Sequence, residues 1–225
     1  MQPEVLSWAA VIPAYNASQT ILSVLTGIAR YIPRQRILLV DDGSTDETAD
    51  LGRDFGAGVR RRLSNGGKGR ALREGFKCVL SWSPDWIFCL DADGQHDPAM
   101  IPRFQEAIDQ TDADLIIGNR SGDHMGMPLS RQFSNRVSSA LLSLRTGMKL
   151  PDVQCGFRAI RAEALRRMHL QAENYDIEVE MILQAWKLGC KIAWIPIPTL
   201  YYGEPSFMRK LPETFRFIRL LARSL

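Results

Sequence analysis

An α/β fold, with a mainly parallel central sheet flanked by helices, is predicted by three features of the chain. Short apolar runs of strand length, Ile37–Val40, Trp86–Leu90 and Leu115–Gly118, alternate with longer segments whose apolar positions recur at helical spacing. The first two of those runs end abruptly in carboxylates, Asp41-Asp42 and Asp91-Ala92-Asp93, and the carboxyl end of a parallel strand is where an open α/β sheet places its ligands. No internal repeat, low-complexity tract or linker interrupts the 225 residues, which predicts a single domain with one sizeable core.

Taken in order, Ser7 to Pro13 reads as the first strand, Ala14-Tyr15-Asn16 as a turn, and Ser18 to Arg30 as a helix. The second strand, Ile37–Val40, runs into Asp41-Asp42-Gly43-Ser44-Thr45-Asp46-Glu47, where Ser44 or Thr45 can cap a helix and the acids suit its positive end. A weak strand at Val59-Arg60-Arg61 leads to Asn65-Gly66-Gly67-Lys68-Gly69 and a helix over Arg70 to Leu80. After the Trp86–Leu90 strand, Asp97-Pro98 starts a helix that reaches Gln110, and Leu115–Gly118 is the next strand. A polar, glycine-rich stretch over Asn119 to Pro128 precedes an amphipathic helix from Ser130 to Arg145. Its apolar face is Phe133, Val137, Ala140, Leu141 and Leu144; Arg131, Ser134, Asn135 and Ser138 lie on another. A short helix after Arg161, a longer one over Ile177 to Leu188 and a strand from Lys191 to Ile197 complete the core, giving a domain over residues 1–205. The last segment, 206–225, mixes Phe207, Leu211, Phe215 and Ile218 with Arg209, Lys210, Arg216 and Arg219. Such a basic amphipathic helix either lies on an anionic membrane or packs on its own domain.

Composition narrows the function classes. At 45% apolar and 24% charged the chain is ordinary globular material, and a formal charge of +3 is too small to imply nucleic acid. No apolar run approaches the roughly 20 residues of a membrane span. The start Met1-Gln2-Pro3-Glu4 lacks the basic opening of a signal peptide, so a cytoplasmic location is expected. The four cysteines, Cys78, Cys89, Cys155 and Cys190, form no metal-type pair and read as reduced, mostly buried thiols.

The chemistry concentrates after the strands. Alternate residues point the same way, so Asp91, Asp93 and Gln95 can offer oxygens to one point, and hard cations such as Mg²⁺ or Mn²⁺ take oxygen ligands together with substrate phosphates. A plain helix cap with a solvated acidic loop is the alternative for an isolated Asp-x-Asp. Carboxylates at Asp41 and Asp42 can accept hydrogen bonds from a ribose or a base. Lys68 sits among glycines that let the backbone approach closely; it either reaches a diphosphate or is a surface lysine, and no Walker A frame fits.

Four segments taken together resemble the successive motifs of the family-2 glycosyltransferases of GT-A (Rossmann-like) fold. They are Val11-Ile12-Pro13-Ala14-Tyr15-Asn16, Val40-Asp41-Asp42-Gly43-Ser44-Thr45-Asp46, Asn65-Gly66-Gly67-Lys68-Gly69-x-Ala71 and Asp91-Ala92-Asp93-Gly94-Gln95-His96. Gly118-x-Arg120, Arg131-x-x-Ser134 and Asp152-x-x-x-Gly156-Phe157-Arg158 extend the similarity to the polyprenyl-phosphate (dolichyl-phosphate) mannose and glucose synthases. The resemblance implies that Pro13, Tyr15, Asn16, Asp41, Asp42 and Lys68 surround the nucleotide of a nucleoside diphosphate sugar, with Asp91, Ala92 and Asp93 completing the donor site. It implies Mg²⁺ or Mn²⁺ at Asp91, Asp93 and Gln95, and an acceptor phosphate at Arg120, Arg131 and Ser134. Asp93, Arg120, Arg131, Ser134 and Asp152 form the expected catalytic set.

The implied reaction is a direct, inverting displacement in which a lipid phosphate oxygen attacks the anomeric carbon of a hexose. An ionised phosphate needs no strong base, whereas a sugar hydroxyl does, and Asp152, Asp176, Glu178 and Glu180 are the candidate bases for that rival. The chain departs from the subfamily at Asp152-Val153-Gln154-Cys155-Gly156-Phe157 and around Tyr201 to Ser206, which leaves polysaccharide or glycolipid synthesis open as the alternative. A sugar nucleotidylyltransferase is a distant third, because Pro13-Ala14-Tyr15-Asn16 stands where that class places a glycine-rich loop with an arginine. Many relatives carry membrane-spanning helices; here membrane contact is expected to be peripheral, through 206–225 and the Met125-Gly126-Met127 loop.

Overall fold

The structure is a computed structural model; it describes residues 6–120, 129–198 and 200, and of 129–131 the backbone alone. Strands β1 (Trp8–Ala14), β2 (Ile37–Asp41), β3 (Gly58–Arg61), β4 (Trp86–Cys89), β5 (Leu115–Asn119), β6 (Arg158–Arg161) and β7 (Ile192–Pro196) form one seven-stranded sheet in the order β3-β2-β1-β4-β6-β5-β7. All neighbours pair in parallel except β6, which runs antiparallel to both β4 and β5. The helices are α1 (Ile21–Ile28), α2 (Thr48–Phe55), α3 (Lys68–Leu80), α4 (Ile101–Gln110), α5 (Leu129–Thr146), α6 (Ala162–Arg167) and α7 (Ile177–Lys187).

The central strands are buried from end to end, as expected for parallel strands covered on both faces: every residue of β2 and β4 is buried. Trp86, Phe88, Phe104 and Phe157 anchor the core, with Phe104 and Phe157 stacked at 4.4 Å between ring centroids. The chain winds outward from β1 through β2 to β3 and then returns to place β4 on the other side of β1. The strand order thus reverses between β1 and β4, the position at which open α/β sheets leave a crevice for ligands.

Three local expectations are corrected. Strand β6 was not expected: at four residues, Arg158-Ala159-Ile160-Arg161, with an arginine at each end, it carries almost no pattern. Helix α2 is not capped by Ser44 or Thr45. Asp46 accepts the Thr48 N–H at 3.0 Å, while Ser44 Oγ accepts the Asn16 N–H at 2.9 Å and ties the first loop to the second. Helix α5, Leu129–Thr146, runs one residue past the expected bounds at each end, and its apolar face turns outward. An apolar helix face ordinarily turns to the core, but Phe133 is 71% and Leu144 84% exposed, while Ser138 and Ser139 are buried. The inward face is polar because it packs on a carboxylate, described below.

Among the described residues no helix is long and apolar enough to cross a membrane. The expected 206–225 helix and the Met125-Gly126-Met127 loop lie outside the described residues, as does the Tyr201 to Ser206 region.

Candidate active site

The loops after β1, β2 and β4 stand side by side at one edge of the sheet, because those strands are adjacent and parallel. Pro13 is buried within β1, and Tyr15 is 42% exposed at its end. Asn16 takes a left-handed conformation, with φ of 50°, and its Oδ1 accepts the Thr45 N–H at 2.9 Å. Asp41 is fully buried, accepts the Ser44 N–H at 3.0 Å and lies 3.2 Å from Arg61 Nε. Asp42 accepts from Arg62 Nη1 at 2.5 Å and from the Gly67 N–H at 2.7 Å. Asp42 therefore binds the glycine-rich loop to the sheet edge, while Asp41 holds its own loop and the end of β3. Gly67 is required there: with φ of 94°, a Cβ on it would sit 2.3 Å from the Glu173 carbonyl oxygen.

Lys68, the first residue of α3, is not a surface lysine. Its Nζ lies 2.5 Å from Asp91 Oδ1 and 2.6 Å from Glu178 Oε1, over the ring of Tyr175 at 5.6 Å. Burial pulls the ammonium pKa down, but the two carboxylates more than reverse this, so it is raised and Lys68 stays charged. Burial pushes Asp91 up, and Lys68 and His96 outweigh it, holding the carboxyl at about 2. His96 is buried against Phe157, and its Nδ1 accepts the Asp91 N–H at 3.3 Å; burial lowers its pKa against the opposing pull of Asp91. Gly156 closes over this group: a Cβ there would lie 2.6 Å from Asp91 Oδ2 and 2.9 Å from Lys68 Nζ.

Asp93 differs from these acids. It forms no ion pair among the described residues, and its Oδ1 accepts the Gln95 N–H at 3.0 Å, which folds the Asp93–Gln95 turn. Ala92 is buried, with its carbonyl held by Thr20 Oγ1 at 2.6 Å. No three His, Cys, Asp or Glu side chains converge on a ready-made cation cage among the described residues.

Beyond β4 the second half of the site centres on Asp152, which is fully buried. Arg120 donates to it through Nε at 2.8 Å and Nη2 at 3.0 Å, Asn135 Nδ2 donates at 3.0 Å, and the Gln154 N–H at 3.2 Å. Burial raises the Asp152 pKa, but the Arg120 guanidinium beside it lowers it by more, for a net depression. This carboxylate is why α5 turns Asn135 inward. Gln154 Nε2 continues the network to Ser138 Oγ at 3.3 Å and Ser134 Oγ at 3.4 Å. Arg120, Ser134 and Asp152 are thus brought together, and Arg131 lies one turn away on the same helix, with its side chain outside the described residues. Underneath, fully buried Arg158 donates to the carbonyls of Cys155, Glu178 and Val153 at 2.8, 2.6 and 3.0 Å, fixing the 152–158 loop to α7. Asn135, Gln154 and the carbonyl-binding role of Arg158 were not anticipated. The Gly118-x-Arg120, Arg131-x-x-Ser134 and Asp152-to-Arg158 motifs marked the neighbourhood without these contacts.

Comparison with known proteins agrees with this architecture. The glycosyl transferase family 2 profile matches residues 9–168, which span β1 to the end of α6. The chain belongs to that family. It is a glycosyltransferase, and its sheet is that of the GT-A enzymes. The undecaprenyl-phosphate mannosyltransferase of Micrococcus luteus is 33% identical over 198 residues, covering 83% of this chain and 81% of that protein. The polyprenol monophosphomannose synthase of Mycolicibacterium smegmatis is 29% identical over 199 residues, 83% of this chain and 75% of the relative. In fold, the glucosyl-3-phosphoglycerate synthase of Mycobacterium tuberculosis, solved with Mn²⁺ and uridine-diphosphate-glucose, superposes with a TM-score of 0.73 at 22% identity, over 98% of this chain and 78% of that one.

Proposed function

We propose that this glycosyltransferase moves a hexose from a nucleoside diphosphate sugar to a polyprenyl phosphate, with inversion at the anomeric carbon. The observation that carries the acceptor is that the expected bases are already engaged. Asp152 accepts from Arg120, Asn135 and Gln154; Asp176 accepts the Asn174 N–H at 3.1 Å; Glu178 pairs with Lys68; and Glu180 accepts the Gln171 and Ala172 N–H groups at 2.9 and 2.8 Å. A hydroxyl acceptor needs one of them to take its proton, a task that hydrogen-bonded and ion-paired carboxylates are less suited to, whereas a phosphate arrives as an ionised nucleophile. The names of the two relatives, both polyprenyl-phosphate mannosyltransferases, support the same acceptor class.

In this reading Tyr15, Asn16, Asp41, Asp42 and the Lys68 loop form the nucleotide wall, and Asp93 with Gln95 and Asp91 faces the diphosphate. A hard divalent ion commonly uses one or two protein carboxylates and takes its other ligands from substrate phosphates and water. Asp93, outside any ion pair among the described residues, fits that demand, and the fold neighbour was solved with Mn²⁺ and its nucleotide sugar. When bound, Mg²⁺ or Mn²⁺ would offset the negative charge gathering on the leaving diphosphate. The chain's own contribution is positional. Asp152 fixes the plane of the Arg120 guanidinium, and Gln154 fixes the Ser134 hydroxyl, so an incoming phosphate meets donors already oriented.

Transfer of label from GDP-mannose, UDP-glucose or UDP-N-acetylglucosamine into organic solvent, with either metal and with or without added polyprenyl phosphate, tests this. Label should enter the solvent phase only when the lipid phosphate is present. Metal-dependent donor hydrolysis without lipid labelling, or labelling of a sugar hydroxyl instead, overturns the acceptor.

A further inference from the structure

The face of α5 turned away from Asp152 carries Phe133, Val137, Leu141 and Leu144 at spacings of four, four and three residues, one continuous stripe along the helix. These side chains are 71%, 41%, 42% and 84% exposed, which makes them half of the eight exposed large hydrophobics among the described residues. An apolar strip of this kind marks an interaction surface rather than scattered surface residues. Its charge is one-sided as well: from His124 to Pro151 the sequence holds Arg131, Arg136, Arg145 and Lys149 and no acid. Arg136 is exposed beside the stripe. Ser134, which Gln154 ties to the Asp152 network, lies on the flank between the stripe and the site.

We propose that the outer face of α5 is the membrane-docking surface of this enzyme, seating Phe133, Val137, Leu141 and Leu144 among the lipids of an anionic bilayer with Arg136 at the headgroups. A helix with an outward apolar strip in a stretch of sequence that holds arginines and a lysine but no acid has the composition of one lying in the membrane interface, gaining from apolar burial and from the negative surface together. The inference rests on the lipid-phosphate reading above and gives it a geometry. With α5 on the surface, a phosphate in the headgroup layer stands at the flank that carries Ser134, and its polyprenyl chain stays in the bilayer. The polar inner face of α5 then serves the reaction while the apolar outer face serves the lipid.

Flotation of the full chain with vesicles of phosphatidylcholine containing or lacking phosphatidylglycerol tests the surface. Wild type should float with the anionic vesicles, and the double variant Phe133→Glu/Leu144→Glu should lose at least about tenfold in vesicle affinity with an unchanged thermal midpoint, since both side chains are already in water. Transfer to a short-chain, water-soluble polyprenyl phosphate should be unaltered in that variant, while transfer to vesicle-embedded acceptor falls. A double variant that floats like wild type overturns the proposal and assigns membrane contact to another segment. So does a wild-type dimer that the two substitutions dissociate without any lipid, since the face is then an interface between copies. If wild type floats through α5 but labels no phosphate acceptor, soluble or embedded, the surface stands and the acceptor reading fails.

Discussion

The donor and acceptor halves of the cleft use the same device, a buried carboxylate locked by a cation, but collect its parts from different distances along the chain. On the donor side Asp42 finds Arg62, Gly66 and Gly67 only 20 to 25 residues away, on the next strand and loop. On the acceptor side Asp152 draws in Arg120 from 32 residues before it, and Lys68 of the donor loop reaches 110 residues ahead to Glu178, tying the two halves together. Consecutive parallel strands place their loops together automatically, so the donor half is a local construction. The acceptor half exists only when α5, the 152–158 loop and α7 close on one another. The antiparallel β6 makes that closure, bringing Arg158 back against β4 and β5.

The largest effect expected from breaking either half is at Asp93. Asp93→Ala should lower transfer by about a hundredfold to a thousandfold, the usual cost of losing a group that meets developing charge, with little change in melting temperature, because the side chain holds no ion pair among the described residues. A rate loss matched by an equal stability loss would make Asp93 structural.

Lys68→Met comes next and joins the halves. Removing the cation strands Asp91 and Glu178 in a buried setting, and breaking such a group typically costs about 3–5 kcal/mol. Urea unfolding should show that loss, and Glu178→Gln in the same background should restore part of it, since the two sites share one network.

Asp152→Asn separates positioning from base catalysis. A residue that orients Arg120 through charged hydrogen bonds contributes about 1.5–3 kcal/mol. The apparent KM for a soluble phosphate acceptor should therefore rise about tenfold to a hundredfold, with donor KM and the pH profile of kcat unchanged. Loss of an acidic limb from that profile would instead identify Asp152 as a base.

The smallest effect is on pH. Asp91 and Asp152 are both held below the ordinary aspartate value in the folded protein, so the stability they contribute is complete above pH of about 4 and drains as the pH falls toward about 2. Urea midpoints should hold from pH 6 down to about 4 and decline below it, and Asp152→Asn should flatten part of that decline.

How much of this was legible follows the same division. The sheet edge, the order of the donor loops and the Asp91/Asp93 turn are written in short apolar runs that stop at carboxylates. The bounds of α3, α5 and α7 follow from periodicity alone. Periodicity also pointed to an apolar face on α5 without showing that it faces out. That sidedness is set by Asp152, whose burial makes a polar lining the better partner. Lys68 stayed open between a diphosphate contact and a surface lysine because Glu178, one of the two carboxylates that bury it, lies 110 residues away in sequence.

The sequence by itself determined the class of sheet, the edge that carries the chemistry and the family, since these depend on local pattern and on motif order. Only the tertiary structure decided which charges are consumed and which remain. The state of a carboxylate depends on the cations and N–H groups within about 3 Å of it, and the cations that meet Asp152 and Glu178 come from 32 and 110 residues away along the chain.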